Sequence, residues 1–219
     1  MNFPRPVFDA NSGSGGFGNL PEWDLTDLYA SPDAPEFERD LDWTRDTCAA
    51  FAARYEGKLA ALTAPELLDC VELYEQIDVT AGRLMSYAGL RYYQNTMDSE
   101  RAKFMADAQD QITNHTTPLV FFSLEFNRLE DAHLDALLAE NEGLARYRPV
   151  FERMRAMRPH QLSDELEKFL HDNSSVGSAA WNRLFDETMA GLMFTVNGEE
   201  LNLESTLNLL TDPDRAVRE

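Results

Sequence analysis

The sequence predicts a mainly α-helical protein, in which a bundle of long antiparallel helices is followed by shorter helices and by one β-hairpin near residues 192–203. Apolar residues recur at spacings of three and four over long segments, which is the period of one face of a helix. Near residue 192 this spacing changes to alternation on both sides of Asn197-Gly198. That dipeptide tolerates the positive φ angles of a tight hairpin turn, so the alternating segment is predicted to form two paired strands.

The first long helix is predicted to begin near Asp33 and to end near Gly57. Asp33 and Glu36 have the spacing of a capping box, and Pro35 suits the first helical turn because its missing N–H needs no partner there. Its buried face is predicted to consist of Phe37, Leu41, Thr44, Cys48, Phe51, Tyr55 and Leu59.

The second helix is predicted to begin near Thr63. Thr63, Pro65 and Glu66 there repeat the start signal of the first helix, a capping residue followed by a proline and a glutamate in the first turn. Its apolar pattern continues for about 28 residues, which is long for a globular helix and favours antiparallel packing in a bundle. The residues of its apolar face are Leu67, Val71, Tyr74, Ile77, Ala81, Leu84, Met85 and Ala88.

A third helix is predicted from Asp98 or Ser99 to Phe126, and Pro118 is expected to kink or split it. Shorter helices are predicted at residues 131–140, 144–157, 163–172 and 178–190. Asp212-Pro213-Asp214 then has the pattern of an N-cap with proline at the first helical position. Because few residues follow this start signal, we expect the sequence to stop short of its natural end.

The composition argues against several partners. The formal net charge of −20 repels nucleic-acid phosphates and anionic lipids, so we expect neither nucleic acid nor membrane as a partner. The sequence shows no secretory leader and no apolar run of the ~20 residues that a membrane helix needs. Cys48 and Cys70 lie within apolar helical patterns and are predicted to be reduced core thiols. A cytoplasmic protein is therefore expected.

The residues themselves offer no catalytic or metal-binding constellation. A zinc peptidase helix needs two histidines four residues apart with a glutamate between them. None of the four histidines has a partner at that spacing, and we expect them to be solvated or to cap helices: His115, His133, His160 and His171. No catalytic or metal-ligating residue is therefore assigned to this chain, and its substrate-binding residues are left open.

One cluster has two interpretations. Tyr87, Tyr92 and Tyr93 lie close in sequence to Arg83 and Arg91. Tyrosine and arginine are favoured at interfaces, so the cluster could line a peptide-binding cleft. Tyrosines buried at the edge of the core, with satisfied hydroxyls, are the more frequent arrangement.

Three stretches, taken in order, resemble the oligoendopeptidase F family, which consists of bacterial zinc metallopeptidases similar to thimet oligopeptidase. The first is "LPEWDLTDLYAS", which resembles the entry segment of that family. The second is "RPHQLSDELEKFLHDNSSVGSAAWNRLFDETMAGLMFTVNG", and the third is "LLTDPDRAVRE", which resembles the stretch before the catalytic helices. The resemblance covers roughly residues 20–219.

The resemblance implies a longer, largely helical enzyme with two lobes around a channel that admits short peptides. Its zinc would be held by a His-Glu-x-x-His helix and a further glutamate, and all of these positions would follow Glu219. The chain is then the N-terminal part of a zinc-dependent metalloendopeptidase that acts on short oligopeptides; it forms one wall of the channel, binds no zinc and is inactive alone. The alternative is a stand-alone, non-catalytic helical scaffold or peptide-binding module.

Composition and the resemblance together suggest how the chain is organised. We expect a disordered tail at residues 1–19, an N-terminal helical bundle at 20–115 and a second helical segment at 116–190, followed at 191–219 by the start of a catalytic domain. From about Met193 onward the elements would lack packing partners, so Leu201, Leu207 and Leu210 are expected to be exposed. Trp23, Leu25, Leu28 and Tyr29 are expected to anchor the chain before the first helix.

Overall fold

Helices predominate in residues 23–218, which are the residues that the computed structural model describes. The predicted fold class is confirmed, while the disordered tail predicted at residues 1–19 lies outside the described residues. In chain order the elements are α1 (Pro35–Tyr55), α2 (Ala64–Gln94), α3 (Ser99–Thr116), α4 (Val120–Arg128), α5 (Asp131–Glu140), α6 (Glu142–Ala145), α7 (Arg148–Ala156), α8 (Asp164–Asp172), α9 (Ser178–Ala190), β1 (Met193–Val196), β2 (Glu199–Asn202), α10 (Leu203–Asn208) and α11 (Arg215–Arg218).

Helix α1 buries the face that its apolar spacing predicts, from Phe37 to Tyr55. The predicted capping box at Asp33 and Glu36 is wrong. The N-cap is Ala34, whose side chain has no oxygen to offer, and Pro35 occupies the first helical position. Because proline has no N–H, the first turn has one donor fewer to satisfy, and the helix begins there without a side-chain cap.

The capping box at the start of α2 is confirmed. The carboxylate of Glu66 accepts hydrogen bonds from the backbone N–H of Thr63 at 2.9 Å and from its hydroxyl at 2.7 Å. These bonds satisfy groups that an open helix end would leave to water. The helix continues for 31 residues to Gln94, slightly beyond the predicted length.

The third predicted helix is divided in two at Pro118, as expected. Helix α3 ends at Thr116, a 3₁₀ turn covers Thr117–Leu119, and α4 continues from Val120. Proline cannot donate the hydrogen bond that a continuous helix requires, and its ring clashes with the carbonyl four residues earlier. The side chain of Asp98 caps the start of α3 by accepting from the N–H groups of Glu100 and Arg101.

The shorter helices follow the predictions, with one exception. Helices α5 and α9 have the predicted bounds, and α8 begins one residue later than predicted. The helix predicted at residues 144–157 is wrong, since two helices, α6 and α7, occupy this stretch. Pro149 explains the break, because its ring would clash with the carbonyl of Ala145 in a continuous helix.

The predicted hairpin is confirmed. Strands β1 and β2 are antiparallel, with Met193 opposite Asn202 and Val196 opposite Glu199. The turn residues Asn197 and Gly198 have φ angles of 54° and 90°, as a tight two-residue hairpin requires.

The segment after the hairpin differs from the prediction. Helix α10 was not predicted; its N-cap is Asn202, whose side chain accepts from the N–H of Ser205 at 2.8 Å. The start predicted at Asp212-Pro213 is wrong, since α11 begins at Arg215. There the carboxylate of Asp214 accepts from the N–H of Ala216 at 2.9 Å and takes the role expected of Asp212. Both misses concern short polar side chains that fit a turn and an N-cap equally well.

The buried side chains form two clusters. The larger joins the second half of α1 and the first half of α2 to α4, α5 and α7, around Phe51, Phe122 and Phe126. The smaller joins the first half of α1 and the second half of α2 to α3, around Phe37 and Tyr87. Because the halves of α1 and α2 pair in opposite order, the two helices are antiparallel. Among residues 152–218, all of which the structure describes, none is buried.

Candidate functional site

The tyrosine and arginine cluster does not form a peptide-binding cleft as a unit. Tyr87 is 3% exposed and Tyr92 is 1% exposed, whereas Tyr93 is 54% exposed. The ring of Tyr87 contacts those of Tyr29 and Phe104, with ring centres 5.4 Å and 6.1 Å apart. The predicted burial is therefore confirmed for Tyr87 and Tyr92 and is wrong for Tyr93. The predicted satisfied hydroxyl is wrong for Tyr92, because no protein group binds it.

Arg83 holds the segment that precedes α1. Its guanidinium lies 4.5 Å from the ring centre of Tyr29, pairs with Asp40 at 3.6 Å and donates to the carbonyl of Leu28. The hydroxyl of Tyr29 donates to Asp40 at 2.9 Å, and burial followed by this hydrogen bond raises the pKa of Tyr29. Tyr29 is thus the anchor expected before the first helix. Trp23 is not, since its side chain is 58% exposed.

The histidines form no metal site within the described part of the chain. Among residues 23–218 there is no group of three or more histidine, cysteine, aspartate and glutamate side chains that could hold a metal ion. The Nε2 atom of His171 lies 3.2 Å from the carbonyl oxygen of Thr113, and this contact links α8 to α3. Burial lowers the pKa of His115.

Cys48 and Cys70 are free and fully buried, as predicted. Burial raises the pKa of Cys48 to about 11 and that of Cys70 to about 12. Since the thiolate is the reactive form, neither cysteine is placed to act as a nucleophile at neutral pH.

The most distinctive surface of the protein is apolar and lies on the last third of the chain. In α8 the exposed side chains include Leu166, Phe169 and Leu170, and in α9 they include Trp181 and Phe185. Both sets recur at spacings of three and four, which is the pattern of a helix face that is normally buried. The name apolar C-terminal face is used here for the exposed large apolar side chains of this region: Leu162, Leu166, Phe169, Leu170, Val176, Trp181, Leu184, Phe185, Met193, Phe194, Leu207, Leu210 and Val217.

The exposure predicted near the hairpin is confirmed in part. Leu207 and Leu210 are 47% and 60% exposed, but Leu201 is half-buried. The exposure was predicted only from about Met193 onward, whereas the apolar C-terminal face begins at Leu162. The spacing of α8 and α9 shows that each helix has an apolar side, but spacing alone cannot show whether another element covers that side.

No helix among residues 23–218 combines the length and the hydropathy needed to cross a membrane.

Comparison with known proteins finds a family model that matches part of this chain. Residues 125–194, which extend from α4 to β1, match the family model described as Peptidase_M3_N, Oligopeptidase F. Group B oligopeptidase PepB of Streptococcus agalactiae is 26% identical over 204 residues, which cover 90% of this chain and 33% of PepB. Oligopeptidase PepF of Bacillus subtilis is 24% identical over 202 residues, which cover 90% of this chain and 30% of PepF.

A solved structure shares the fold. The crystal structure of oligoendopeptidase-F from Enterococcus faecium superposes with a TM-score of 0.71 at 24% identity, over 84% of this chain and 37% of that chain. The chain thus spans about a third of the length of the curated relatives that it matches.

The curated relatives are named as oligopeptidases or oligoendopeptidases. The resemblance to oligoendopeptidase F is confirmed: the family match, the relatives and the shared fold together support an N-terminal portion of oligoendopeptidase F.

Proposed function

We propose that this chain is the N-terminal part of a zinc-dependent metalloendopeptidase that hydrolyses short oligopeptides, and that it forms one wall of the substrate channel. The observation that carries the proposal is the apolar C-terminal face, which lies largely within the stretch that matches the oligopeptidase F family. A face of this kind is expected where further polypeptide packs. In this proposal, residues 191–219 begin the catalytic domain, and the division at residue 115 separates two helical segments of the N-terminal region.

The side chains of residues 23–218 do not fit a catalytic zinc ion. Such a site needs three protein ligands around one metal, and residues 23–218 offer no suitable group of side chains. We therefore derive no step of peptide hydrolysis from these residues. In the proposed enzyme the zinc ligands belong to polypeptide beyond Glu219, and this chain contributes shape and support. Its free, buried thiols agree with the cytoplasmic location that we propose for the enzyme.

The proposal is tested by comparing this chain with the product of the same reading frame extended beyond Glu219. We expect the extended protein to cleave a quenched fluorescent oligopeptide and to lose this activity when a chelator removes the metal. The 219-residue chain alone is expected to be inactive. Metal-dependent cleavage by the chain alone would show that it has an active site of its own.

A stop codon directly after Glu219 would instead support the stand-alone scaffold or peptide-binding module. That alternative also predicts that no extended product exists and that the apolar C-terminal face is open to solvent in the native protein.

Two variants test whether the apolar C-terminal face is covered in the extended protein. Trp181→Glu places a charge on this face, and Asn182→Glu places the same charge on the adjacent exposed residue. If the face is buried by downstream polypeptide, Trp181→Glu should destabilise the extended protein by about 3 kcal/mol or more, because an unpaired charge would be buried. Asn182→Glu should have little effect in either protein, and Trp181→Glu should have little effect in the 219-residue chain.

A further inference from the structure

A cavity of about 540 Å³ lies between α2, the junction of α3 with α4, and α8. Its volume is within the range of about 300–1,000 Å³ that small-molecule sites commonly have. The residues that line it are Tyr74, Ile77, Asp78, Ala81, Thr116, Leu119, Val120, Ser123, Glu167, Leu170 and His171. It shares no residue with the tyrosine and arginine cluster, and of the apolar C-terminal face it includes only Leu170.

The floor of the cavity is apolar and consists partly of core residues. Ile77 is 1% exposed and Leu119 is 8% exposed, so both belong to the core. The ring of Tyr74 stacks on that of Phe122, with ring centres 4.3 Å apart. An apolar group that entered the cavity would therefore meet a preformed surface, as in most ligand sites.

Two hydroxyl groups on the wall of the cavity donate their protons to backbone carbonyl oxygens. The hydroxyl of Thr116 donates to the carbonyl of Ile112 at 2.8 Å, and that of Ser123 donates to the carbonyl of Val120 at 3.3 Å. A hydroxyl has one proton and two lone pairs, so both oxygens can only accept a further hydrogen bond.

His171 lines the same wall, and one of its ring nitrogens is already in use. Its Nε2 lies 3.2 Å from the carbonyl oxygen of Thr113 and 3.3 Å from the hydroxyl oxygen of Thr116. A carbonyl oxygen can only accept, so the proton belongs on Nε2. In the neutral imidazole this leaves Nδ1 with a lone pair.

The charged groups on the wall are both acidic. Glu167 is half-buried, and its Oε1 accepts from the N–H of Leu162 at 2.9 Å, which leaves Oε2 available. Asp78 adds an exposed carboxylate. Among the described residues that line the cavity there is no lysine or arginine, and the hydroxyl of Tyr74 is the one side-chain donor with no hydrogen bond of its own in the structure.

The geometry points to a binding site for a primary ammonium group carried on a short apolar body. Such a ligand supplies several N–H donors and a positive charge to a wall of acceptors and carboxylates, and its apolar part lies on the floor. The amino end of a peptide that begins with an apolar residue and a free aliphatic amine share this chemistry. The inference goes beyond the proposed peptidase function and does not rest on it.

Binding is tested with three probes titrated into the isotope-labelled 219-residue chain at about pH 7.5, where the amine probes carry a positive charge. Leucinamide represents the amino end of a peptide, isoamylamine represents a free amine, and N-acetyl-leucinamide keeps the apolar body without the charge. We expect leucinamide to shift backbone amide resonances around Ile77, Thr116 and His171, and N-acetyl-leucinamide to leave them unchanged. Tighter binding of leucinamide would indicate a peptide amino end, and tighter binding of isoamylamine would indicate a free amine.

Matched variants separate the cavity from the general negative field of the protein. Glu167→Gln and Asp78→Asn remove lining carboxylates, and Glu167→Gln keeps an oxygen that can accept from the N–H of Leu162. Each should weaken leucinamide binding about fivefold, which is the upper end for a charge pair near solvent. Glu165→Gln removes the same charge from an exposed position of α8 outside the cavity and should leave binding within about twofold.

Three results would overturn the inference. The first is the absence of leucinamide and isoamylamine binding at millimolar concentrations. The second is equal binding of leucinamide and N-acetyl-leucinamide, because the charge would then contribute nothing. The third is an equal effect of Glu165→Gln and Glu167→Gln, because a diffuse field rather than the cavity would then attract the amine. Because peptidase activity is not measured, these outcomes are independent of the proposed function.

Discussion

The first and last thirds of the described chain are built from similar helices but differ in what covers them. In α1 the apolar face from Phe37 to Tyr55 is buried by α2 and α3. In α8 and α9 the corresponding side chains, including Phe169 and Trp181, are 60% and 71% exposed. Equivalent apolar patterns thus lead to a core in one region and to an open surface in the other. The pattern specifies which side of a helix is apolar, and the presence of a partner element decides whether that side is buried.

The largest expected difference between the two regions is in amide hydrogen exchange. Residues in the middle of α2, near Ile77, lie in the core and should exchange only on global unfolding. Residues of α9 and the hairpin have no buried side chains and should open locally. In the 219-residue chain we expect α2 amides to exchange about a thousandfold more slowly than those of α9. Equal protection in both regions would show that residues 158–218 belong to a complete domain.

The next largest effect should come from truncating one aromatic side chain in each region. Phe51 is fully buried, and its ring contacts Tyr55, Phe121 and Phe122. Phe51→Ala should lower the free energy of unfolding by about 3–5 kcal/mol, because it removes buried apolar surface and leaves a cavity. Trp181→Ala should change it by no more than about 0.5 kcal/mol, because the indole is 71% exposed. Urea denaturation of both variants measures the difference, and similar losses would contradict the comparison.

Helix caps offer a smaller and more local test. Thr63→Ala removes a hydroxyl from the capping box of α2 and should lower the free energy of unfolding by about 1 kcal/mol. Asn202→Ala removes a cap of the same kind from α10. Because α10 contributes no buried residue, this variant should leave the urea midpoint unchanged and only accelerate amide exchange near Ser205. A shift of the urea midpoint by Asn202→Ala would show that the last third unfolds together with the core.

The smallest expected effect is a dependence of the free energy of unfolding on pH. Hydrogen bonds from the backbone N–H and the hydroxyl of Thr63 lower the pKa of Glu66 below its ordinary value of 4.5. A carboxylate whose pKa is lowered on folding stabilises the protein above its ordinary pKa, and this contribution is lost as the pH falls through the lowered value. Glu66→Gln should therefore be less stable than the unmodified chain at neutral pH, and the gap should close in acid. Glu165→Gln, which removes the same charge from an exposed residue of α8, is measured beside it as the control for the change of net charge.

Local signals made much of the fold predictable. The bounds of α5 and α9, the capping box of α2, the break at Pro118 and the Asn197-Gly198 turn each depend on a few neighbouring residues, and each was predicted. The errors at Asp33 and Asp212 concern helix starts, where the helix begins one or two residues later than the aspartate suggests: Ala34 is the N-cap of α1, and Asp214 takes the capping role at α11. Helix α10 is only 6 residues long, too short for an apolar period to be recognised.

The cavity between α2 and α8 could not be predicted, because its wall combines residues that are far apart in the chain. Asp78 of α2 and Glu167 of α8 line the same cavity because α8 packs near α2 and α4 in the folded chain. The acceptor character of the wall depends on which carbonyl each hydroxyl and imidazole reaches, and residue spacing does not contain that information.

The sequence by itself determined the helical class, the hairpin, the apolar faces of α1 and α2 and the resemblance to oligoendopeptidase F. These follow from local periodicity, turn chemistry and motif order, which act over a few residues at a time. The tertiary structure alone decided that Tyr87 and Tyr92 enter the core, that Trp23 does not, and that the apolar C-terminal face begins at Leu162. Burial depends on which surfaces meet across long sequence distances, so it is a property of the packed chain rather than of any segment within it.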